Sequence, residues 1–357
     1  MSLLFLNDNL AIREITADNF TWGKPLSRTA IIALLMANEK ESYDLFALAT
    51  EVRKNAIGDR VNLRGIIEFS NHCRQNCLYC GLRRDNHQVT RYRLDYDTIL
   101  NAAKEAIKVG YRTIVLQCGE DPKLDKTLVA KIVSEIRQLG AAVTLSCGEW
   151  DESAYKLWRE AGANRYLMKQ ESADQALYAY LRPNRTLKER LSHHQVLRQL
   201  GYQVGSGSMV GLPHQTYETL ADDLCLMRDY EIEMSGIGPF IPHQETPLKD
   251  TKKGDPLLTC RMVALARILM PLCMLPATTS LASLHPRGKV LALDADVIMP
   301  NISPQETRQY YEIYPNKLSS EKSIKETFDD HVQLIESCGR FVAKDFGHSP
   351  KQTWLDS

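Results

Sequence analysis

Short apolar runs alternate with amphipathic stretches from about residue 61 to about residue 300. The apolar runs are bounded by Gly, Pro, Asn or Asp and have the length of buried strands. They predict strands at 64–69, 113–117, 142–146, 165–168, 203–209, 234–238, 276–280 and 297–299. The stretches between them repeat apolar residues at helical spacing. They predict helices at 96–109, 125–139, 153–161, 187–200, 217–230 and 257–270.

Strands that alternate with helices are typical of βαβ units and a parallel sheet. Eight such units over roughly 240 residues predict an α/β protein with a complete (β/α)8 TIM-type barrel. A doubly wound open sheet is the alternative, and the absence of a G-x-G-x-x-G after the first strand disfavours it. We predict three regions: an N-terminal helical cap (1–60), the barrel (61–317), and a C-terminal helix (324–338) and tail packed on it (318–357). In the cap, Ser27 and Ser42 are the predicted N-caps of two helices.

Composition restricts the class of protein. The chain has 357 residues, is 44% hydrophobic and 25% charged, and carries no formal net charge, so bulk charge favours no nucleic-acid partner. No apolar run approaches about 18 residues, so we expect no membrane partner. The first residues lack a charged segment and a cleavage site, and the cysteine count of nine is odd. Both features favour reduced thiols and a cytoplasmic location.

Three cysteines follow the first predicted strand at the spacing C-x3-C-x2-C: Cys73, Cys77 and Cys80. Thiolates grouped on a polar loop indicate zinc or an iron–sulfur cluster. Zinc would need a fourth ligand, such as His72 or His87, because no second cysteine pair follows. An iron–sulfur cube normally takes four cysteines, so three would leave one iron open to a substrate.

Other candidate residues follow the predicted strands, where barrel enzymes place their active sites. Gly119 allows close backbone approach, and Glu120 or Asp121 could accept a hydrogen bond from an ammonium. The alternative is an ordinary acidic turn, with Asp121 as an N-cap and Pro122 as the first helical residue. Arg190 could pair with a carboxylate or remain solvated.

Tyr79 completes the pattern C-x3-C-x-aromatic-C, which resembles the radical S-adenosylmethionine (SAM) superfamily. The resemblance implies one [4Fe-4S] cluster whose open iron is chelated by the amino and carboxylate groups of SAM. An electron from the cluster then cleaves SAM to a 5′-deoxyadenosyl radical.

Longer motifs resemble the HydE family of [FeFe]-hydrogenase maturases, and the match runs from about residue 25 to about residue 345. They are 67–71, 81–86, 91–93, 119–122, 148–150, 181–183, 207–213, 236–243, 298–301 and 311–315. The resemblance implies action on a sulfur-containing substrate, a cysteine-bound iron carbonyl cyanide complex made by HydG, with the radical attacking sulfur. It also implies transient contacts with HydG, HydF and an electron donor, and we expect a monomer. Biotin synthase and methylornithine synthase look like more distant relatives.

The same resemblance assigns site residues. It implies that Cys73, Cys77 and Cys80 hold the cluster. The implied SAM contacts are Tyr79, Gly119, Glu120, Ser146, Glu171 and Arg190. The implied substrate-cavity residues are Thr144, Arg165, Lys169, Met234, Thr278, Thr279, Tyr311 and Tyr314.

The sequence departs from the family at three places. The segment 318–324 lacks the cysteines that hold a second cluster in some HydE proteins, so we expect one cluster. Lys169 stands where arginine is expected and lacks the bidentate fork, and 292–296 looks shorter than usual. Two other functions therefore stay open: a HydE-like radical SAM paralogue for another small molecule, such as an amino-acid mutase, and a non-catalytic protein with a structural metal loop.

Overall fold

The computed structural model describes residues 26–284, 295–315, 317 and 321–351. Parts of three predicted features lie outside these residues: 1–25 of the cap, 292–294, and 318–320 with the end of the tail at 352–357. The helices are α1 (Arg28–Leu35), α2 (Glu39–Ala56), α3 (Tyr96–Val109), α4 (Lys126–Gln138), α5 (Glu152–Glu160), α6 (Gln175–Leu181), α7 (Leu187–Gln199), α8 (Tyr217–Asp229), α9 (Pro256–Leu269), α10 (Thr279–Leu284), α11 (Gln305–Arg308) and α12 (Ile324–Ser337). No described helix is long and apolar enough to cross a bilayer.

The strands are β1 (Arg60–Ser70), β2 (Thr113–Cys118), β3 (Ala142–Ser146), β4 (Arg165–Leu167), β5 (Gln203–Ser206), β6 (Met209–Val210), β7 (Met234–Ser235), β8 (Gly238–Pro239), β9 (Val297–Ile298) and β10 (Phe341–Val342). The main sheet is parallel, in the order β10-β1-β2-β3-β4-β5-β7, and β9 also pairs with β1. Helices cover this curved sheet, which gives a parallel half-barrel of the α/β class. The predicted alternation of strand and helix is therefore confirmed.

The predicted strand at 276–280 is wrong. Pro276 alone makes a parallel bridge, to Val297, and α10 begins at Thr279. Proline has no N–H for a ladder, which favours a single bridge over a regular strand. A second parallel bridge joins Met234 to Met274. The regular ladder thus ends at β7, and it confirms the half-barrel but not the complete (β/α)8 ring.

The first two helices show how local capping sets their ends. Ser27 caps α1 as predicted, and its side chain accepts from the Ala30 N–H. The second predicted cap is wrong: Asn38 caps α2, and Ser42 lies buried inside the helix. Asn38 and Glu41 form a reciprocal capping box, which satisfies two free backbone N–H groups where Ser42 would satisfy one.

An aromatic cluster packs α5 against the sheet. The Tyr155 and Tyr166 rings lie 5.1 Å apart edge to face, and Tyr166 and Tyr202 lie 5.9 Å apart. Trp158, which is fully buried, stacks on Tyr166 at 6.3 Å. Such offset and edge-to-face pairs add to the burial energy of the rings. They fix β4 and β5, whose carboxyl ends carry candidate site residues.

The C-terminal segment returns to the barrel. Phe328 of α12 packs on Tyr111 at 5.1 Å, and β10 pairs in parallel with the first residues of β1. The chain then runs under the amino-terminal ends of the strands, where Ser349 is fully buried and its N–H donates to Gln203 Oε1 at 3.0 Å. The lower end of the sheet is therefore closed by the chain itself.

Candidate active site

The cysteine loop lies at the carboxyl end of β1. Cys73, Cys77 and Cys80 are all free thiols. Backbone bonds from distant segments hold the loop: Arg74 N–H donates to Glu120 O at 2.9 Å, and Leu78 N–H donates to Leu181 O at 2.9 Å. A side chain at Gly119 would lie only 2.3 Å from the His72 carbonyl oxygen, so this position requires glycine. The loop after β2 therefore packs directly against the cysteine loop.

The three thiols suit a cationic centre. Burial raises the pKa of Cys73 to about 11, and burial also raises the pKa values of Cys77 and Cys80. The neighbouring cysteines add to the increase for Cys80, because thiolates repel one another. Metal coordination would supply the positive charge that thiolates need here. In the described ranges no three His, Cys, Asp or Glu side chains converge on a single ion, whereas a cube spreads its cysteines over separate irons.

Two carboxylates after β2 brace the loop. Glu120 is buried and accepts from Gln75 Nε2 at 2.5 Å, Arg182 Nη2 at 3.1 Å and Arg74 Nε at 3.3 Å. Its carboxylate therefore already has three protein donors, and its contact with an ammonium stays a prediction. Asp121 accepts from Arg93 and Ser70. It does not cap a helix as the alternative interpretation held, because Asp125 caps α4.

Three arginines surround Glu149, which follows β3. Glu149 belongs to the motif 148–150, but it was assigned no role from the sequence. Arg190 Nε lies 3.0 Å from Glu149 Oε1, and Arg182 and Arg185 each lie 3.9 Å from the same carboxylate. Burial nevertheless raises the pKa of Glu149 above its ordinary value. Arg190 also donates to Tyr178 Oη at 3.1 Å and is buried. The alternative that Arg190 remains solvated is therefore wrong.

Glu171 combines an unusual backbone conformation with a buried oxygen that lacks a hydrogen-bond partner. Its φ is 64°, in the left-handed region that residues with a side chain seldom adopt. Its Oε1 accepts from Tyr79 Oη at 3.3 Å, and Lys169 Nζ lies 3.5 Å from Oε2. Oε2 is nevertheless buried without a hydrogen-bond partner in the described structure. Buried acceptors are normally satisfied, so this oxygen suits a ligand hydroxyl.

Half-buried side chains along the inner face of the sheet indicate a chamber. Ile66, Gln117, Ser146 and Leu167 lie on strands yet stay half-buried, which indicates space between them. The predicted cavity residues divide into a floor and a rim. Thr144, Arg165 and Met234 lie fully buried at the floor. The other five, which are Lys169, Thr278, Thr279, Tyr311 and Tyr314, lie higher, and all but the buried Tyr311 are half-buried.

The sequence did not predict a buried ion pair beside Tyr311, one of the predicted cavity residues. Glu68 is buried on β1, accepts from Asn301 Nδ2 at 2.7 Å and makes a close ion pair with Lys317. Lys317 Nζ lies 4.6 Å from the centre of the Tyr311 ring. Burial lowers the pKa of Lys317 to about 7. A charged residue inside the apolar run of β1 was the available signal for Glu68, since carboxylates are rarely buried unpaired.

Comparisons with known proteins agree with this geometry. The profile of the Radical SAM superfamily matches residues 67–226. The [FeFe] hydrogenase maturase subunit HydE of Thermotoga maritima is 48% identical over 305 residues, which cover 85% of this chain and 88% of the relative. The 3-methylornithine synthase of Methanosarcina acetivorans is 30% identical, over 80% of this chain and 82% of the relative.

Solved structures show the same fold. The crystal structure of methylornithine synthase (PylB) superposes with a TM-score of 0.78 at 24% identity, over 94% of this chain and 97% of that chain. A structure of the hydrogenase maturase HydG gives a TM-score of 0.78 at 18% identity, over 95% of this chain and 76% of that chain. From the extent of the sequence identity, the chain is a radical SAM enzyme and belongs to the HydE family of [FeFe]-hydrogenase maturases.

Proposed function

We propose that this radical SAM enzyme acts in [FeFe]-hydrogenase maturation on a sulfur-containing organometallic substrate, a cysteine-bound iron carbonyl cyanide complex supplied by HydG. The observation that carries the proposal is the 48% identity to the HydE subunit of Thermotoga maritima over 85% of the chain. Its transient partners would be HydG, HydF and an electron donor. The chain would work as a monomer, and its nine cysteines, none of which forms a disulfide, support a cytoplasmic location.

Cys73, Cys77 and Cys80 would hold one [4Fe-4S] cluster by three thiolates, leaving one iron open for SAM. The bound cluster supplies the electron that breaks the carbon–sulfur bond of SAM. Gly119, which packs against the cysteine loop, would let the backbone after β2 approach SAM, and Glu120 would support that backbone through its three donors. The unpartnered oxygen of Glu171 would accept from the ribose hydroxyls, with Tyr79 orienting the carboxylate. Ser146 and Arg190 would contact the remainder of SAM.

The substrate would lie in the chamber beneath SAM. Arg165, with Thr144 and Met234, would receive its lower end, and the upper residues would surround the reacting sulfur: Lys169, Thr278, Thr279, Tyr311 and Tyr314. This arrangement needs walls on all sides. The bridges at Met234–Met274 and Pro276–Val297, together with the β9–β1 pairing, support closure of the half-barrel into a complete (β/α)8 ring. The proposed regions are the cap (1–60), the barrel (61–317) and the C-terminal helix and tail (318–357).

A HydE-like paralogue for another small molecule is the second candidate, for example an amino-acid mutase. Lys169 favours it, because a lysine binds an anion as a point charge without the fork of the expected arginine. The 30% identity to 3-methylornithine synthase is compatible with such a change of substrate.

Anaerobic turnover of SAM by the reconstituted protein, with and without the product of HydG, tests the proposal. We expect the HydG product to be consumed and to stimulate formation of 5′-deoxyadenosine, while Cys77→Ser abolishes both. Deletion of the gene should abolish hydrogenase activity. SAM cleavage that ignores the HydG product, together with intact hydrogenase activity in the deletion strain, would establish the second candidate. Colourless protein that holds one zinc would contradict both.

A further inference from the structure

Two buried arginines form the floor of the chamber. Arg64 of β1 and Arg165 of β4 are 1% and 2% exposed. Arg165 Nη1 lies 3.4 Å from both Thr113 Oγ1 and Thr144 Oγ1. Arg64 Nη1 lies 2.7 Å from Met234 Sδ. These contacts place two guanidinium groups together at the lower end of the inner face of the sheet.

Neither arginine is neutralised. In the described ranges neither guanidinium forms a salt bridge, and the Nε of each has no hydrogen-bond partner. Burial of an isolated charge is costly, so such groups normally have a carboxylate partner. Burial lowers the pKa of Arg165, and the nearby charge of Arg64 lowers it further. The floor therefore concentrates positive charge that no salt bridge in the described ranges neutralises, and the carboxylates of Asp296 and Asp345 act on it only from beyond salt-bridge distance.

The C-terminal tail supplies neutral acceptors to these arginines. Arg165 Nη2 donates to the Phe346 carbonyl oxygen at 2.5 Å and to His348 Nδ1 at 2.9 Å. Arg64 Nη2 donates to the Gly347 carbonyl oxygen at 2.8 Å. Next to them Ser349 is fully buried. A segment of three residues therefore orients both guanidinium groups from below.

His348 accepts as a neutral ring. Burial lowers the pKa of His348 to about 3, and the positive charge of Arg165 contributes to this decrease. A neutral imidazole has one nitrogen that accepts, and the contact with Arg165 assigns this role to Nδ1. A carboxylate at this position would hold Arg165 equally well but would cancel its charge. A neutral acceptor orients the guanidinium and preserves its charge.

We propose that His348, with the Phe346 carbonyl, is a positioning residue that holds Arg165 ready for an anionic group of the substrate. The inference rests on the proposed function, which places the substrate in this chamber. It adds that the tail sets the geometry of the floor, so the tail contributes to substrate affinity and not to SAM cleavage.

His348→Asn and His348→Gln form a matched pair for the test. Both side chains are neutral and polar, but only the asparagine oxygen occupies the place of Nδ1, while the glutamine oxygen lies one bond further out. We expect His348→Gln to raise the KM for the HydG product about tenfold, as the loss of one hydrogen bond to a charged group would. His348→Asn should keep the wild-type KM. Both should cleave SAM at the wild-type rate without substrate. Lys344→Ala, on the exposed part of the tail, is the control.

A KM that is equal in His348→Asn and His348→Gln, or a parallel loss of substrate-free SAM cleavage, would overturn the inference. The crystal structure of the His348→Gln apo-protein gives a readout that needs no substrate. We expect the Arg165 fork to leave Phe346 and Thr144 there, and an unmoved Arg165 would also overturn the inference. If the wild-type enzyme does not consume the HydG product, the proposed function fails by itself. The crystal structure of the His348→Gln apo-protein then still decides whether His348 positions Arg165.

Discussion

At the scale of single residues, Glu171 combines two costs that a stable fold avoids. Its backbone lies in the left-handed region, which costs on the order of 1–3 kcal/mol, and one carboxylate oxygen is buried without a hydrogen-bond partner. Such costs persist where function requires them. Tyr79 donates to the other oxygen, and Lys169 Nζ lies 3.5 Å from this one without a hydrogen bond, so the oxygen can still accept from a ligand hydroxyl. These observations support the assignment of Glu171 to SAM better than its place after β4 alone.

We therefore expect Glu171→Gln to weaken SAM binding about tenfold, because an amide is a poorer acceptor for ribose hydroxyls than a carboxylate. The backbone strain is unchanged, so the melting temperature should stay near that of the wild type. Isothermal titration of the anaerobically reconstituted protein with SAM measures the effect. Glu160→Gln, at the exposed end of α5, is the matched control. Unchanged SAM affinity in Glu171→Gln would remove this residue from the site.

The sequence predicts the cysteine loop because its ligands lie within eight positions of one another. It does not predict that Glu120 is already hydrogen-bonded, because its partner Arg182 is 62 residues away. The ion pair between Glu68 and Lys317 spans 249 residues. Local spacing therefore identifies a metal loop, whereas the state of each carboxylate depends on contacts that only the folded chain forms.

At the scale of elements, helix ends follow from local chemistry. Tyr96–Val109 is predicted to the residue because Asp95 caps its first turn and Gly110 follows its last. Short elements are different. The helix Gln175–Leu181 was not predicted, since its seven residues give too few turns for a clear period, and β6 and β8 have two residues each. Their existence depends on tertiary pairing and not on local preference.

Arg182, which follows α6, joins the loops after β2 and β3. Arg182 is 4% exposed and donates to Glu120, and it lies 3.9 Å from Glu149. Loss of this arginine would leave two buried carboxylates without their shared cation. We expect Arg182→Met to lower the free energy of unfolding by about 3–5 kcal/mol, as breaking a buried ion pair does.

Arg185→Met is the control for this prediction, because Arg185 meets the same Glu149 but is 34% exposed. Its loss should cost less than about 1 kcal/mol. Denaturant unfolding of the two apo-variants measures both changes. An equal decrease in the free energy of unfolding in the two variants would contradict the prediction, because it would mean that the burial of Arg182 adds nothing to stability.

At the scale of the whole molecule, the fold depends on buried groups that must stay neutral. His194 of α7 is 2% exposed and contacts the Met168 carbonyl oxygen through Nε2 at 2.7 Å. Burial lowers its pKa to about 4. Between pH 6.5 and pH 4 the unfolded chain therefore binds a proton at this position that the folded chain does not bind. The contribution of neutral His194 to the free energy of unfolding is therefore fully present above pH 6.5 and is lost as the pH falls toward 4.

We expect this histidine alone to lower the free energy of unfolding by about 3 kcal/mol across that range. His194→Gln keeps an amide donor for Met168 but does not titrate, so its stability should fall less steeply with decreasing pH. Denaturant unfolding of the apo-protein at several pH values gives the two slopes. His87→Gln, on the exposed surface, should keep the wild-type slope. Identical slopes in His194→Gln and wild type would contradict the prediction.

The number of clusters is the remaining property of the whole molecule. All nine cysteines lie in the described residues, and none of them forms a disulfide. Three share the loop after β1, and the other six are dispersed: Cys118, Cys147, Cys225, Cys260, Cys273 and Cys338. Cys118 and Cys147 are buried neighbours, and the cysteine of the loop after β1 that acts on the Cys118 thiol is Cys73. A cube cannot be held by two thiolates alone, so we predict a single cluster in the loop after β1.

Anaerobic reconstitution should accordingly give about four irons and four sulfides per chain. Cys77→Ser should lose this iron and the cluster's spectroscopic signal, because two thiolates then remain in the loop. Cys338→Ser should retain about four irons, since this cysteine follows α12 and is not one of the three in the loop after β1. Iron and sulfide assays with electron paramagnetic resonance measure all three proteins. About eight irons in the wild type, with half of them lost in Cys338→Ser, would show a second cluster near the C-terminus. The loop after β1 would then not be sufficient to account for the metal content of the chain.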